Sequence, residues 1–221
     1  MNKAMQAYFA EFLGTFTLVF IGAFAVAVTA TPDTNASVLV PALAHGLILV
    51  GLASAYGGIS GGHFNPAVTL AMLVGGKIDV VKAAIYMVVQ FVGSIVAAFA
   101  LVAILPDPFN YGQTTGSLTA TNVGNAVLME AFLTFLLVST IYQAAVYGRA
   151  GNIAPIAIGL TLTGCILAGG VYTGASLNPA RTLGPALAAG DLSYVLPYFV
   201  GIFAGGAIGG IVHGYLLRDS K

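Results

Sequence analysis

The chain has 221 residues, of which 58% are hydrophobic and only 6% charged. A water-soluble domain carries about a quarter charged residues, so lipid must replace water as the main solvent here. Seven basic and seven acidic residues leave no net charge, which removes the electrostatic basis for a nucleic-acid partner. The single cysteine, Cys165, excludes an intrachain disulfide framework and a cysteine-built metal cluster.

Met1-Asn2-Lys3 leads into a long apolar segment without a clear small-residue cleavage site, so it reads as a retained first helix and not a signal peptide. A helix needs ~20 apolar residues to cross a bilayer. Six stretches qualify: 5–28, 37–56, 80–105, 124–147, 153–170 and 194–217. Two further apolar pieces, 57–76 and 171–190, are interrupted near the middle by Asn-Pro. After each interruption only about ten helical residues remain, or ~15 Å. That is half a bilayer core, so both pieces read as re-entrant loops carrying half-helices.

Basic residues set an expected orientation. Lys3, Lys77, Lys82, Arg149, Arg218 and Lys221 fall at segment ends that would share one side. Asp33, Asp107 and Asp191 fall on the other side, where Arg181 is the only basic residue. The positive-inside rule then puts both termini in the cytoplasm of a multi-pass protein in the cell membrane.

The two halves repeat. Glu11-x-x-x-Thr15-Phe16-x-Leu18-Val19 recurs as Glu130-x-x-x-Thr134-Phe135-x-Leu137-Val138. Asn65-Pro66-Ala67-x-Thr69-Leu70 recurs as Asn178-Pro179-Ala180-x-Thr182-Leu183. Each half holds three spans, so the second is inserted upside down, an arrangement of transport proteins. The expected fold is all-α and integral to the membrane, with six transmembrane helices, two re-entrant half-helices and an inverted internal repeat. One domain covers 1–221, with repeat one over about 5–105 and repeat two over about 124–217.

Asparagine favours the N-cap of a helix and proline its first position. Asn65-Pro66 and Asn178-Pro179 therefore start the half-helices, whose N-termini meet near mid-membrane. Each N-terminus carries roughly half a positive charge. With its side-chain oxygen used as the cap, each Asn keeps its amide as a donor toward a lumen. The preceding segments, Gly61-Gly62-His63-Phe64 and Gly174-Ala175-Ser176-Leu177, are expected to be non-helical and to line a pore with backbone carbonyls. Irregular backbone at this depth is tolerated where it lines a wet cavity or packs in protein.

Paired Asn-Pro-Ala motifs, the second followed by Arg181, resemble the signature of the aquaporin (major intrinsic protein) family. The resemblance covers essentially the whole chain and includes His63, two residues before Asn65. It implies a homotetramer in lipid with one water-conducting pore per subunit, no cofactor, no metal and no catalytic residue. It also implies a constriction formed by Arg181 with His45, Ile166 and Ala175. Strict water channels of the family have an aromatic residue where His45 stands and a histidine where Ile166 stands. Glycerol-conducting members usually carry an aspartate where Thr182 stands. The set here looks most like that of plant tonoplast intrinsic proteins, associated with water plus ammonia or urea.

Ile166 and Ala175 leave one wall of the constriction apolar and wider. Fast water flow with some leak of small neutral solutes such as ammonia, urea or glycerol is expected, with ions and protons excluded. A facilitator of those solutes, a non-conducting adhesion protein and a proton-coupled transporter are the competing readings. An unperturbed pKa near 6.5 makes His45 a candidate pH modulator. His63 is expected to hold its loop, and His213 to sit at the interface without a transport role. Buried Glu11 and Glu130 are expected to bind loop N–H groups, with Gln90 in support by the resemblance. Gly201-x-x-x-Gly205-x-x-x-Gly209 and Gly206-x-x-x-Gly210-x-x-x-Gly214 offer small faces for close helix packing. Asn35-Ala36-Ser37 matches a glycosylation acceptor.

Overall fold

The computed structural model describes residues 2–29, 38–105 and 109–218. Asp33, Asn35-Ala36-Ser37, Asp107 and Lys221 lie outside the described residues. The helices are α1 (Lys3–Thr29), α2 (Leu39–Ser60), α3 (Pro66–Val74), α4 (Val80–Ile104), α5 (Ser117–Thr121), α6 (Val123–Ile141), α7 (Ala154–Thr173), α8 (Pro179–Ala189) and α9 (Val195–Ile211). With their flanking turns, α1, α2, α4, α6, α7 and α9 give six helices long and apolar enough to cross a membrane. Val88, Phe132 and Leu196 on these helices are 61%, 62% and 72% exposed, an outer surface suited to hydrocarbon and not to water.

α3 and α8 are the two half-helices, of nine and eleven residues. α1 packs on α2 and α4, α7 packs on α2 and α6, and α6 packs on α9. α3 lies against α9 and α4, while α8 lies against α4 and α9.

Two boundaries differ from the sequence expectation. α2 runs on to Ser60, through the Gly57-Gly58 pair that looked like its end. Those glycines face open space, so they permit the helix to continue. The helix stops at Gly61, whose φ of 97° is left-handed and whose N–H caps back onto the Gly57 carbonyl. α7 likewise runs to Thr173 and stops at left-handed Gly174, bonded to the Gly170 carbonyl. The C-terminal ends of spans four and six change winding: Tyr142–Val146 and Val212–Leu216 are π turns.

The two glycine series on α9 face different partners. Side chains at Gly201 and Gly205 would collide with the carbonyls of Val127 and Ala131 on α6. An added Cβ at Gly206 or Gly210 would fall 2.7 Å or 2.5 Å from the carbonyls of Ala67 or Ala71 on α3. One stripe therefore seats a span and the other seats a half-helix.

His213, in the turn that ends the last span, packs inside the protein. It is buried, accepts at Nδ1 from the Gln143 amide at 2.7 Å, and its carbonyl accepts from the Tyr147 hydroxyl. These bonds tie the two π turns together.

Candidate functional site

Each half-helix is capped by its asparagine. Asn65 Oδ1 accepts from the Ala67 N–H at 2.8 Å. Asn178 Oδ1 accepts from the N–H groups of Ala180 and Arg181 at 3.0 Å and 3.3 Å. Pro66 and Pro179 occupy the first helical position, where a missing N–H costs nothing. The amides then cross. Asn65 Nδ2 donates to the Leu177 carbonyl at 2.8 Å, and Asn178 Nδ2 donates to the Phe64 carbonyl at 3.0 Å. Each cap thus holds the strand that leads into the other cap, and the two helix N-termini face one another.

These bonds refine two expectations. Each asparagine amide spends one of its two N–H groups on the opposite strand and retains the second. The carbonyls of Phe64 and Leu177 each take a bond from within the protein, leaving one lone pair apiece.

The leading strands are held by carboxylates. Glu11 Oε1 accepts from Ser60 Oγ at 2.6 Å and the His63 N–H at 2.9 Å. Its Oε2 accepts from the Phe64 N–H at 2.7 Å and the Gln90 amide at 2.8 Å. Glu130 repeats the pattern: Thr173 Oγ1 at 2.7 Å, the Ser176 N–H at 2.9 Å and the Leu177 N–H at 2.9 Å. Among the described residues, Glu130 takes its bonds from Thr173, Ser176 and Leu177 and from no amide side chain like Gln90, so the two halves differ there. Charge-assisted bonds from backbone N–H groups allow a carboxylate to sit fully buried. Phe64, Ala175 and Leu177 adopt positive φ (49°, 43° and 54°). The carboxylates hold Phe64 and Leu177 there, while the Ala175 N–H donates to Thr173 Oγ1 at 3.1 Å.

His63 bonds through Nδ1 to Thr69 Oγ1 at 3.0 Å, and Ser176 Oγ bonds Thr182 Oγ1 at 2.6 Å. Sequence reasoning missed Tyr86 and Tyr198. Their hydroxyls donate to the carbonyls of Ser60 and Thr173 at 2.7 Å and 2.9 Å, closing off the ends of α2 and α7. Their near-equal spacing from Asn65 and Asn178 was the available signal.

A cavity of about 500 Å³ runs along this assembly. Gly61, Gly62, His63, Ser176 and Leu177 line it beside Asn65, Asn178, His45 and Arg181. A second cavity of about 380 Å³ is lined by Ile166, Gly174 and again His45. Phe64 and Ala175 appear in the lining of neither. His45 borders both and so marks their junction.

At that junction Arg181 Nε donates to His45 Nε2 at 3.0 Å. Arginine only donates, so Nε2 is the acceptor and the ring proton sits on Nδ1, 2.7 Å from the Pro41 carbonyl. Both ring nitrogens are committed in the neutral form. Gly22, which sequence reasoning missed, makes room for this ring, since an added Cβ would collide with it. Among the described residues no three His, Cys, Asp or Glu side chains gather as metal ligands do.

Two re-entrant half-helices meeting tip to tip inside six spans define a membrane channel architecture. The Major intrinsic protein family model matches residues 1–213. The chain is similar to Aquaporin TIP1-1 of Zea mays, 41% identical over 95% of this chain and 86% of that protein. It is similar to Probable aquaporin TIP2-2 of Arabidopsis thaliana, 40% identical over 96% of this chain and 87% of that protein. Its fold matches the solved aquaglyceroporin from Plasmodium falciparum with a TM-score of 0.86, at 23% identity and 97% coverage of both chains. The chain belongs to the major intrinsic protein family.

Proposed function

We propose that the chain is a passive water channel with one pore per subunit of a homotetramer, and with both termini in the cytoplasm. The observation that carries this reading is the pair of crossed bonds from Asn65 to Leu177 and from Asn178 to Phe64. They fix two positive helix ends and two spare amide donors beside a cavity whose wall sets a few polar groups among apolar side chains. A water molecule there would offer its oxygen to both amides, with its hydrogens directed away along the lumen. The naming of similar proteins as aquaporins supports the same reading.

Proton and ion exclusion follows from the same parts. The helix ends and Arg181 raise a positive barrier, and the oriented central water breaks a hopping chain. A cation would lose hydration that this wall cannot replace. Arg181→Val combined with His45→Ala should raise proton and solute leak.

Passage of small neutral solutes rests on the constriction. Ile166 brings an apolar side chain to the second cavity, which it lines together with His45, the partner of Arg181. Ammonia and urea are the solutes of the right size and polarity. Paired flux assays for water, urea, ammonia and glycerol in proteoliposomes test the proposal. A rate for glycerol that matches or exceeds the rate for water would favour a solute facilitator.

A further inference from the structure

Arg181 Nε donates to His45, but Arg181 Nη1 is buried without a hydrogen-bond partner. An unpaired charged donor at this depth is costly. The Tyr194 hydroxyl and Thr114 Oγ1 share that condition. Arg181, Tyr194 and Thr114 are only 2%, 3% and 1% exposed, so almost none of their surface is open to solvent. Tyr194 stands between the other two, near Arg181 on one side and Thr114 on the other. Tyr194 lies within electrostatic reach of Arg181. Its hydroxyl lies beside Thr114.

The frame around them is firm. An added Cβ at Gly174 would fall 2.6 Å from Thr114 Cα, so Thr114 rests on the strand that carries Ala175. The Tyr194 ring meets Tyr198 edge-on at 5.2 Å, and Tyr198 is itself bonded to the Thr173 carbonyl. The repeat sharpens the point. Tyr194 stands four residues before Tyr198, where the first half has Lys82 before Tyr86. Arg181 stands two residues after Pro179, where the first half has Val68 after Pro66. The hydroxyl occurs only in the half that carries the arginine.

We propose that Tyr194 and Thr114 form a polar anchor that fixes the Arg181 guanidinium at the constriction, with a bridging water joining Nη1 to the two hydroxyls. Buried waters commonly satisfy such groups. Tyr194 is then a positioning residue: it sets where Arg181 stands without meeting the permeant. A guanidinium released from this anchor swings, and the opening admits larger neutral solutes at the expense of selectivity. The inference rests on the reading of Arg181 as part of the constriction.

The test compares urea and water permeability of reconstituted wild type, Tyr194→Phe, Arg181→Val and the double variant. Tyr194→Phe should raise the urea-to-water ratio about threefold or more, and should add nothing in the Arg181→Val background. Thr114→Val should follow Tyr194→Phe while Thr114→Ser matches wild type, which keeps the test open should Tyr194→Phe fail to fold. An unchanged ratio in Tyr194→Phe and Thr114→Val, with a raised ratio in Arg181→Val, would overturn the anchor and leave the constriction standing. An equal effect with and without Arg181 would also overturn it. No effect of Arg181→Val itself would overturn the constriction and the anchor with it.

Discussion

His45 accepts from Arg181 through Nε2 at 3.0 Å, joining the second span to the second half-helix. Its other nitrogen faces the Pro41 carbonyl at 2.7 Å, one turn earlier on α2. A proton added at Nε2 would confront a donor. The ring therefore acts as a fixed wall, and water flux should be the same at pH 5 and pH 8. Stopped-flow measurements at both values check this. A difference that disappears in His45→Ala would restore the pH modulation that the residue type alone suggested.

Gly22→Ala should disturb the same pair from behind. The new methyl collides with the His45 ring, and overpacking of this kind costs about 1–3 kcal/mol when it cannot relax. The ring is expected to move off Arg181, raising the urea-to-water permeability ratio and lowering the melting temperature. Gly51→Ala is the control, because an added Cβ there meets nothing within 4 Å. Its melting temperature should not fall below the wild-type value, since Ala also favours the helix over Gly.

Glu130→Gln should weaken the second leading strand. It turns one acceptor oxygen into a donor facing Thr173 or the N–H groups of Ser176 and Leu177. A buried donor left unpaired costs about 1–3 kcal/mol, so thermal unfolding in detergent should begin earlier. Glu11→Gln should lower it further, because that carboxylate serves four donors and not three. Equal melting of all three proteins would show that the carboxylates do not hold the strands.

Gly205→Ala should loosen the seat of α9 on α6. The added methyl would collide with the Ala131 carbonyl, which a helix backbone cannot move aside. A loss of about 1–3 kcal/mol is expected, read as a lower melting temperature.

The spans and half-helices were legible because length and apolar run alone decide whether a helix crosses a membrane. The Asn-Pro caps were legible because N-cap chemistry is local. Helix ends were less so. Gly57-Gly58 and Gly61 look alike as letters, and only the left-handed φ of Gly61 separates a tolerated glycine from a terminator. The Glu11 and Glu130 partners were suggested by the repeat, but the crossed amides of Asn65 and Asn178 join residues more than a hundred positions apart. Nothing local encodes that. Tyr194 looked like an ordinary residue at a helix start, and its relation to Arg181 exists only once α8 and α9 are folded together.

Osmotic shrinkage of proteoliposomes, followed by stopped-flow light scattering, tests the central claim most directly. The account predicts that vesicles bearing the protein shrink several-fold faster than protein-free vesicles of the same lipid and size. Identical rates, with the protein folded and inserted, would contradict it.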